Sequence, residues 1–171
     1  MTPLATTLII IHTLLSIAAI IVGVPAIVDV FRSRLKSTSI TGFLILAIAT
    51  SVTGYVLPLK GVTPAVVVGV VALAILAAVF FAQPRARSAA IWRLVYVGGI
   101  TASLYLLVFV AVAQAFLKIP FLREAAPTQS EPPFVIAQVV VLVAFIILGV
   151  LATRAFKPNS AFMASRATAT A

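Results

Sequence analysis

The one histidine of the chain, His12, is the residue with the widest range of possible chemistry. An imidazole inside an apolar segment can ligate haem, transfer a proton, bind a ligand or form a hydrogen bond between helices. A bis-histidine haem needs a second histidine, so haem ligation would require a homodimer or one of the two methionines, Met1 and Met163, near the chain ends. No cofactor is predicted. An interhelical hydrogen bond is the favoured role of His12; proton transfer or ligand binding is the first alternative, and haem or quinone binding is a further one.

Several other polar side chains are expected at a similar depth, toward one end of the apolar segments. Each such group costs free energy in hydrocarbon and tends to face protein or a water-filled cavity. In one interpretation these groups hydrogen-bond each other and tie a polar loop over the helices, with Glu131 accepting backbone N–H groups of the last helix. In the other they line an outward-facing pocket for an amphipathic ligand. The candidate ligand-binding residues are His12, Tyr55, Gln114, Thr128, Gln129, Glu131 and Gln138.

Residue types exclude several enzyme classes. The sequence has no cysteine, no paired carboxylates within an apolar segment, no zinc-binding histidine motif and no glycine-rich phosphate loop. Ser16 and His12 stand four residues apart, as a dyad would need, but no acid stands near them to orient the imidazole. These absences favour a non-enzymatic protein without a metal site.

Composition places most of the chain in lipid. Hydrophobic residues make up 63% of the 171 residues, charged residues 9%, and the mean hydropathy is +1.27. A soluble domain of this length cannot bury so much apolar surface. The net charge of +9 would suggest nucleic acid in a soluble protein. Here the basic residues stand beside apolar segments, which indicates topology signals and lipid headgroup contacts and argues against nucleic-acid binding.

The apolar segments predict an all-α, five-helix transmembrane bundle spanning residues 1–158, followed by a disordered cytoplasmic tail at 159–171. Ser130 is the expected N-cap of the last span, with Pro132 and Pro133 in its first turn. Small residues four apart, such as Gly98 and Ala102, would let helices approach closely. The predicted spans are residues 4–31, 40–57, 65–82, 89–117 and 134–156.

The basic residues predict the orientation. Five spans put the termini on opposite sides of the membrane, and the side with more Lys and Arg faces the cytoplasm. Nine cations fall on one side against three on the other, Lys60, Lys118 and Arg123. The N-terminus is therefore expected outside, the C-terminus inside, and the loop after Gln114 in the periplasm. A re-entrant hairpin formed by the second and third segments is the alternative.

Together with His12 in the first span, three stretches, residues 46–58, 112–120 and 126–134, resemble a family of small, uncharacterised bacterial inner-membrane proteins. The Thr-Gln-Ser-Glu-Pro-Pro run within 128–133 is the most specific part, and the resemblance extends to about Phe156. It implies a multi-pass protein of the inner membrane and carries no activity.

The favoured function is a non-enzymatic bundle that binds a lipid-like ligand or associates with a membrane complex through its outer half. The expected partners are membrane lipids, a second copy of the chain or a membrane complex. A redox or quinone-linked protein using His12 and a small-solute transporter are the alternatives.

Overall fold

The computed structural model describes residues 3–57 and 64–157, with the backbone alone for residues 64 and 65. These residues form helices and no strands. Five of the helices are long and apolar enough to cross a membrane, which confirms the predicted all-α, five-span class. The connection at 58–63 and the tail at 159–171 lie outside the described residues. The helices are α1 (Pro3–Phe31), α2 (Thr38–Val56), α3 (Pro64–Ala82), α4 (Ala90–Lys118), the short α5 (Pro120–Ala125) and α6 (Pro132–Ala155).

Local capping chemistry explains where two of the helices begin. At α2 the Ser37 side chain accepts a hydrogen bond from the Ile40 N–H at 3.1 Å, so α2 starts two residues before its predicted start. At α6 the N-cap is Glu131, and its side chain makes no capping bond. The prediction of Ser130 as N-cap is therefore wrong. The two prolines that open α6 have no N–H, so its first turn has fewer donors to cap.

Helix α4 is the centre of the bundle and packs against α1, α3 and α6. In addition, α1 pairs with α2, and α2 with α3. Close approach depends on glycine at two crossings: Gly23 of α1 faces Leu104, and Gly99 of α4 faces Val79. These contacts hold α1 and α3 directly against α4.

The best-packed part of the bundle lies toward one end, where residues 32–37, residues 83–89 and the end of α6 meet. We call this the basic end, because nearly all its charged residues are Lys or Arg; the opposite end, with residues 119–131, is the loop end. Phe43, Val79, Tyr96 and Ile100 are fully buried in the basic half. The face of α4 that is buried at Ile100 becomes exposed at Gln114. The helices are therefore packed less closely toward the loop end.

Candidate functional site

His12 forms the interhelical hydrogen bond that was favoured for it. Its Nδ1 lies 3.1 Å from the Thr53 hydroxyl of α2, and the side chain is half-buried. The Thr53 hydroxyl itself donates to the Ala49 carbonyl at 2.7 Å. Because that hydroxyl has a single hydrogen, it is placed to accept from Nδ1–H of His12. His12 thus fastens α1 to α2.

Two more of the predicted residues join neighbouring helices through backbone carbonyls. The Tyr55 hydroxyl of α2 donates to the Val66 carbonyl of α3 at 3.2 Å. The Gln138 amide of α6 donates to the Phe109 carbonyl of α4 at 3.1 Å. The Gln138 Oε1 is buried and has no partner within the described residues. Gln114 is exposed and makes no side-chain hydrogen bond within that part of the chain.

The loop before α6 is held by its own side chains. The Glu131 carboxylate accepts from the Thr128 hydroxyl at 2.8 Å and from the Thr128 and Ser130 N–H groups at 3.1 and 3.0 Å. The expectation that Glu131 accepts N–H groups of the last helix is therefore wrong, because the groups that donate to its carboxylate belong to the preceding loop. Gln129 adopts a left-handed φ of 58° and donates to the Ala113 carbonyl at 2.6 Å. That bond ties the loop to α4.

The same contacts shift the acidity of Glu131. Partial desolvation favours the neutral acid, but the bonds from the Thr128 hydroxyl, the Thr128 N–H and the Ser130 N–H favour the carboxylate and prevail. They lower the pKa of Glu131 below its ordinary value of 4.5. The carboxylate form therefore organises this loop at neutral pH.

Six of the seven predicted site residues are distributed over four separate connections, and Gln114 takes part in none of them within the described residues. Thr128 and Glu131 are in direct contact, and Gln129 is adjacent to them in the loop. His12, Tyr55 and Gln138 each bond a different pair of helices. Of the interpretation in which these groups bond each other and tie the loop over the helices, the structure shows the Thr128–Glu131 contact and the bond from Gln129 to α4. Their role in ligand binding stays a prediction.

A second polar network, which the sequence interpretation missed, lies at the basic end. The Leu35 carbonyl accepts two hydrogen bonds of 2.8 Å, one from the Gln83 amide and one from the Tyr96 hydroxyl. Tyr96 is fully buried, and its ring packs edge-on against Phe156 with centroids 5.8 Å apart. These contacts connect the α1–α2 loop to the segment after α3 and to α4, and they connect α4 to the end of α6.

The same loop is held by charged groups. Ser33 has a left-handed φ of 59°, its carbonyl accepts from Arg87 at 2.6 Å, and its hydroxyl accepts from the Lys157 N–H at 2.8 Å. Asp29 is buried and pairs with Arg34 at 3.1 Å. The acceptors in this network are largely backbone carbonyls of a loop, which no side-chain pattern reveals. The only sequence signals were the polar Gln83 and Tyr96 beside apolar spans.

An apolar groove of about 450 Å³ lies between α4 and α6 in the basic half. Gly98 faces open space, because an added Cβ would meet only Leu94 of its own helix, at 4.0 Å. Tyr105 and Phe145 form one end of the groove, with ring centroids 5.8 Å apart, and Arg154 lies at the other. The lining residues are Leu94, Gly98, Thr101, Ala102, Tyr105, Leu142, Phe145, Ile146, Gly149, Val150, Thr153 and Arg154.

The groove was not predicted, although Gly98 and Ala102 were recognised as a small-residue pair. Among the described residues, no three His, Asp or Glu side chains are grouped so that they could hold a metal ion. Comparison of the chain with protein-family models, curated proteins and solved structures gave no match. The five membrane-length helices support a multi-pass integral membrane protein.

Proposed function

We propose that this protein is a non-enzymatic, multi-pass protein of the bacterial inner membrane that binds a lipid-like ligand in the groove between α4 and α6. The observation that carries this proposal is an apolar groove that no protein side chain fills, on helices apolar enough to span a membrane. The class of ligand is the one expected from the sequence, a lipid-like molecule. Its proposed binding site lies in the basic half of the bundle, whereas the sequence-based expectation was the outer half.

The dimensions of the groove suit one acyl chain. Its volume of about 450 Å³ is within the usual range of ligand pockets, roughly 300–1,000 Å³. Its wall on α6 extends from Leu142 to Arg154. At a rise of ~1.5 Å per residue this is ~18 Å, close to the ~15 Å thickness of one hydrocarbon leaflet. The groove is therefore long enough for one acyl chain of a lipid in a single leaflet.

The shape of the groove follows from how the two helices touch. Gly149 of α6 faces Thr101 of α4, where an added Cβ would lie 3.5 Å from the threonine methyl group. On the same side of α4, the open surface at Gly98 is left without a protein partner. Because a gap lined by apolar atoms forfeits dispersion contacts, a flexible hydrocarbon chain would stabilise it. The groove is open along one side, so a lipid can enter it laterally from the bilayer.

The bundle also agrees with the proposed orientation. The helix order brings the basic segments at 32–36 and 85–87 to the same end as Arg154 and Lys157. Lys118 and Arg123 are located at the loop end. By the positive-inside rule, we place the basic end in the cytoplasm and the loop end in the periplasm.

The test is native mass spectrometry of the full chain released from a mild detergent. We expect the wild type to retain phospholipid and Gly98→Leu to lose it, since the leucine side chain would occupy the groove. Ala77→Leu is the matched control, because Ala77 is an exposed small residue of α3 outside the groove. Equal lipid retention by wild type and Gly98→Leu, or a wild type that retains none, would contradict the proposal.

A further inference from the structure

One end of the α4/α6 groove carries a single charged residue, Arg154. It is exposed in the last turn of α6, and no other charged side chain lines the groove. Within the described residues it makes no ion pair or side-chain hydrogen bond. Three other arginines of the basic end are engaged. Arg34 pairs with Asp29, Arg87 bonds the Ser33 carbonyl, and Arg85 lies over the Trp92 ring at 5.6 Å.

The chain itself offers no acid to neutralise Arg154. Its three acidic residues are Asp29, Glu124 and Glu131. Asp29 is already paired with Arg34, and the two glutamates belong to the opposite, loop end of the bundle. A second copy of the chain docked in the groove would bring the same three acids, with only Asp29 at a matching depth. An anion that pairs with Arg154 would therefore belong to a different molecule.

The position of Arg154 fits a phospholipid headgroup. Guanidinium groups bind phosphate oxygens through two parallel hydrogen bonds. A chain lying in the groove would place its headgroup beside Arg154 and its methyl end beside Tyr105. The exposed cations of the basic end add a positive field, which favours a headgroup with net negative charge.

We propose that the ligand of this groove is an anionic phospholipid from the leaflet at the basic end, with its phosphate held by Arg154. The assignment rests on the proposed function, because it names the headgroup of a ligand whose chain lies in the groove. A zwitterionic lipid presents the same phosphate together with a cation that the positive field repels. Arg154 is the charged residue that lines the groove and so the cation nearest the headgroup, and it contributes most of the field that distinguishes the two classes.

The experiment measures lipid preference with the purified full chain. The protein is equilibrated with equal amounts of phosphatidylglycerol and phosphatidylcholine of matched acyl chains, and the bound species are quantified by native mass spectrometry. A basic residue near an anionic surface contributes ~1 kcal/mol, which corresponds to about a fivefold preference. We expect the wild type to show that preference for phosphatidylglycerol, and Arg154→Gln to bind both lipids nearly equally. Arg154→Lys should keep most of the preference.

Arg32→Gln is the matched control, because Arg32 is an exposed arginine of the same end that does not line the groove. It should keep the wild-type preference. If Arg154→Gln also keeps the preference for phosphatidylglycerol, or if Arg32→Gln loses it equally, the headgroup assignment is overturned. The proposed acyl-chain site in the groove would stand in either case. Failure of Gly98→Leu to reduce binding of either lipid would overturn the groove itself. A lipid-free wild-type dimer that Gly98→Leu dissociates would overturn both.

Discussion

Replacing Gly99 with alanine should destabilise the protein through the contact between α3 and α4. A Cβ at Gly99 would overlap the Cγ2 atom of Val79, which is fully buried. Valine has few rotamers in a helix, so the methyl group cannot move away without shifting the helices. Overpacking of this kind costs about 1–3 kcal/mol, and the helix propensity gained over glycine returns roughly 0.5–1 kcal/mol. We expect a net loss of ~1–2 kcal/mol in the free energy of unfolding.

The adjacent Gly98 provides the matched control for this substitution. A Cβ at Gly98 meets nothing closer than Leu94 at 4.0 Å, so Gly98→Ala should leave stability unchanged or raise it slightly. Both variants can be unfolded thermally in one detergent while the fluorescence of Trp92, the single tryptophan, is recorded. At about 2–4 °C per kcal/mol, Gly99→Ala should melt several degrees below Gly98→Ala. Equal melting of the two variants would refute the close α3–α4 crossing.

Three further predictions concern hydrogen bonding, pH and topology. Tyr96→Phe removes one of the two hydrogen bonds to the Leu35 carbonyl and should lower the free energy of unfolding by ~1 kcal/mol. Tyr105→Phe, which loses no hydrogen bond within the described residues, should melt like the wild type. The lowered pKa of Glu131 means that loop order is complete above pH 4.5 and is lost as the pH falls below that value. Amide hydrogen exchange should show this loss, and Glu131→Gln should remove its pH dependence; an unchanged profile would contradict it. A reporter fused after Lys157 should report cytoplasm and one near Gln129 periplasm, and the reverse would refute the orientation.

The spans could be predicted well because their cause is local. A run of about 20 apolar residues can satisfy its backbone in lipid only as a helix, so hydropathy alone locates it. The observed bounds differ from the predicted ones by at most two residues. The start of α6 shows what fixes such details. Pro132 and Pro133 remove donors from the first turn, which shifts the N-cap from Ser130 to Glu131 and frees the carboxylate for the loop.

The site could be predicted less well because it depends on how helices cross. Gln138 was recognised as a polar residue, but its partner is the Phe109 carbonyl, which only the α4–α6 crossing brings near. Gly98 and Gly99 have the same sequence character, yet one packs on Val79 and the other faces the groove. Tyr96 bonds a carbonyl 61 residues away. No periodicity encodes these distances, so the sequence identified the polar residues without their partners.

Lipid binding in the α4/α6 groove can be tested by photolabelling with a phosphatidylglycerol that carries a diazirine in one acyl chain. The full-length protein is irradiated in bilayers containing this lipid, and the labelled peptides are mapped by mass spectrometry. We expect the label to be concentrated on residues 94–105 of α4 and 142–154 of α6, and to be lost from both in Gly98→Leu. Label spread evenly over the exposed faces of α1 and α3, and unchanged in that variant, would contradict it.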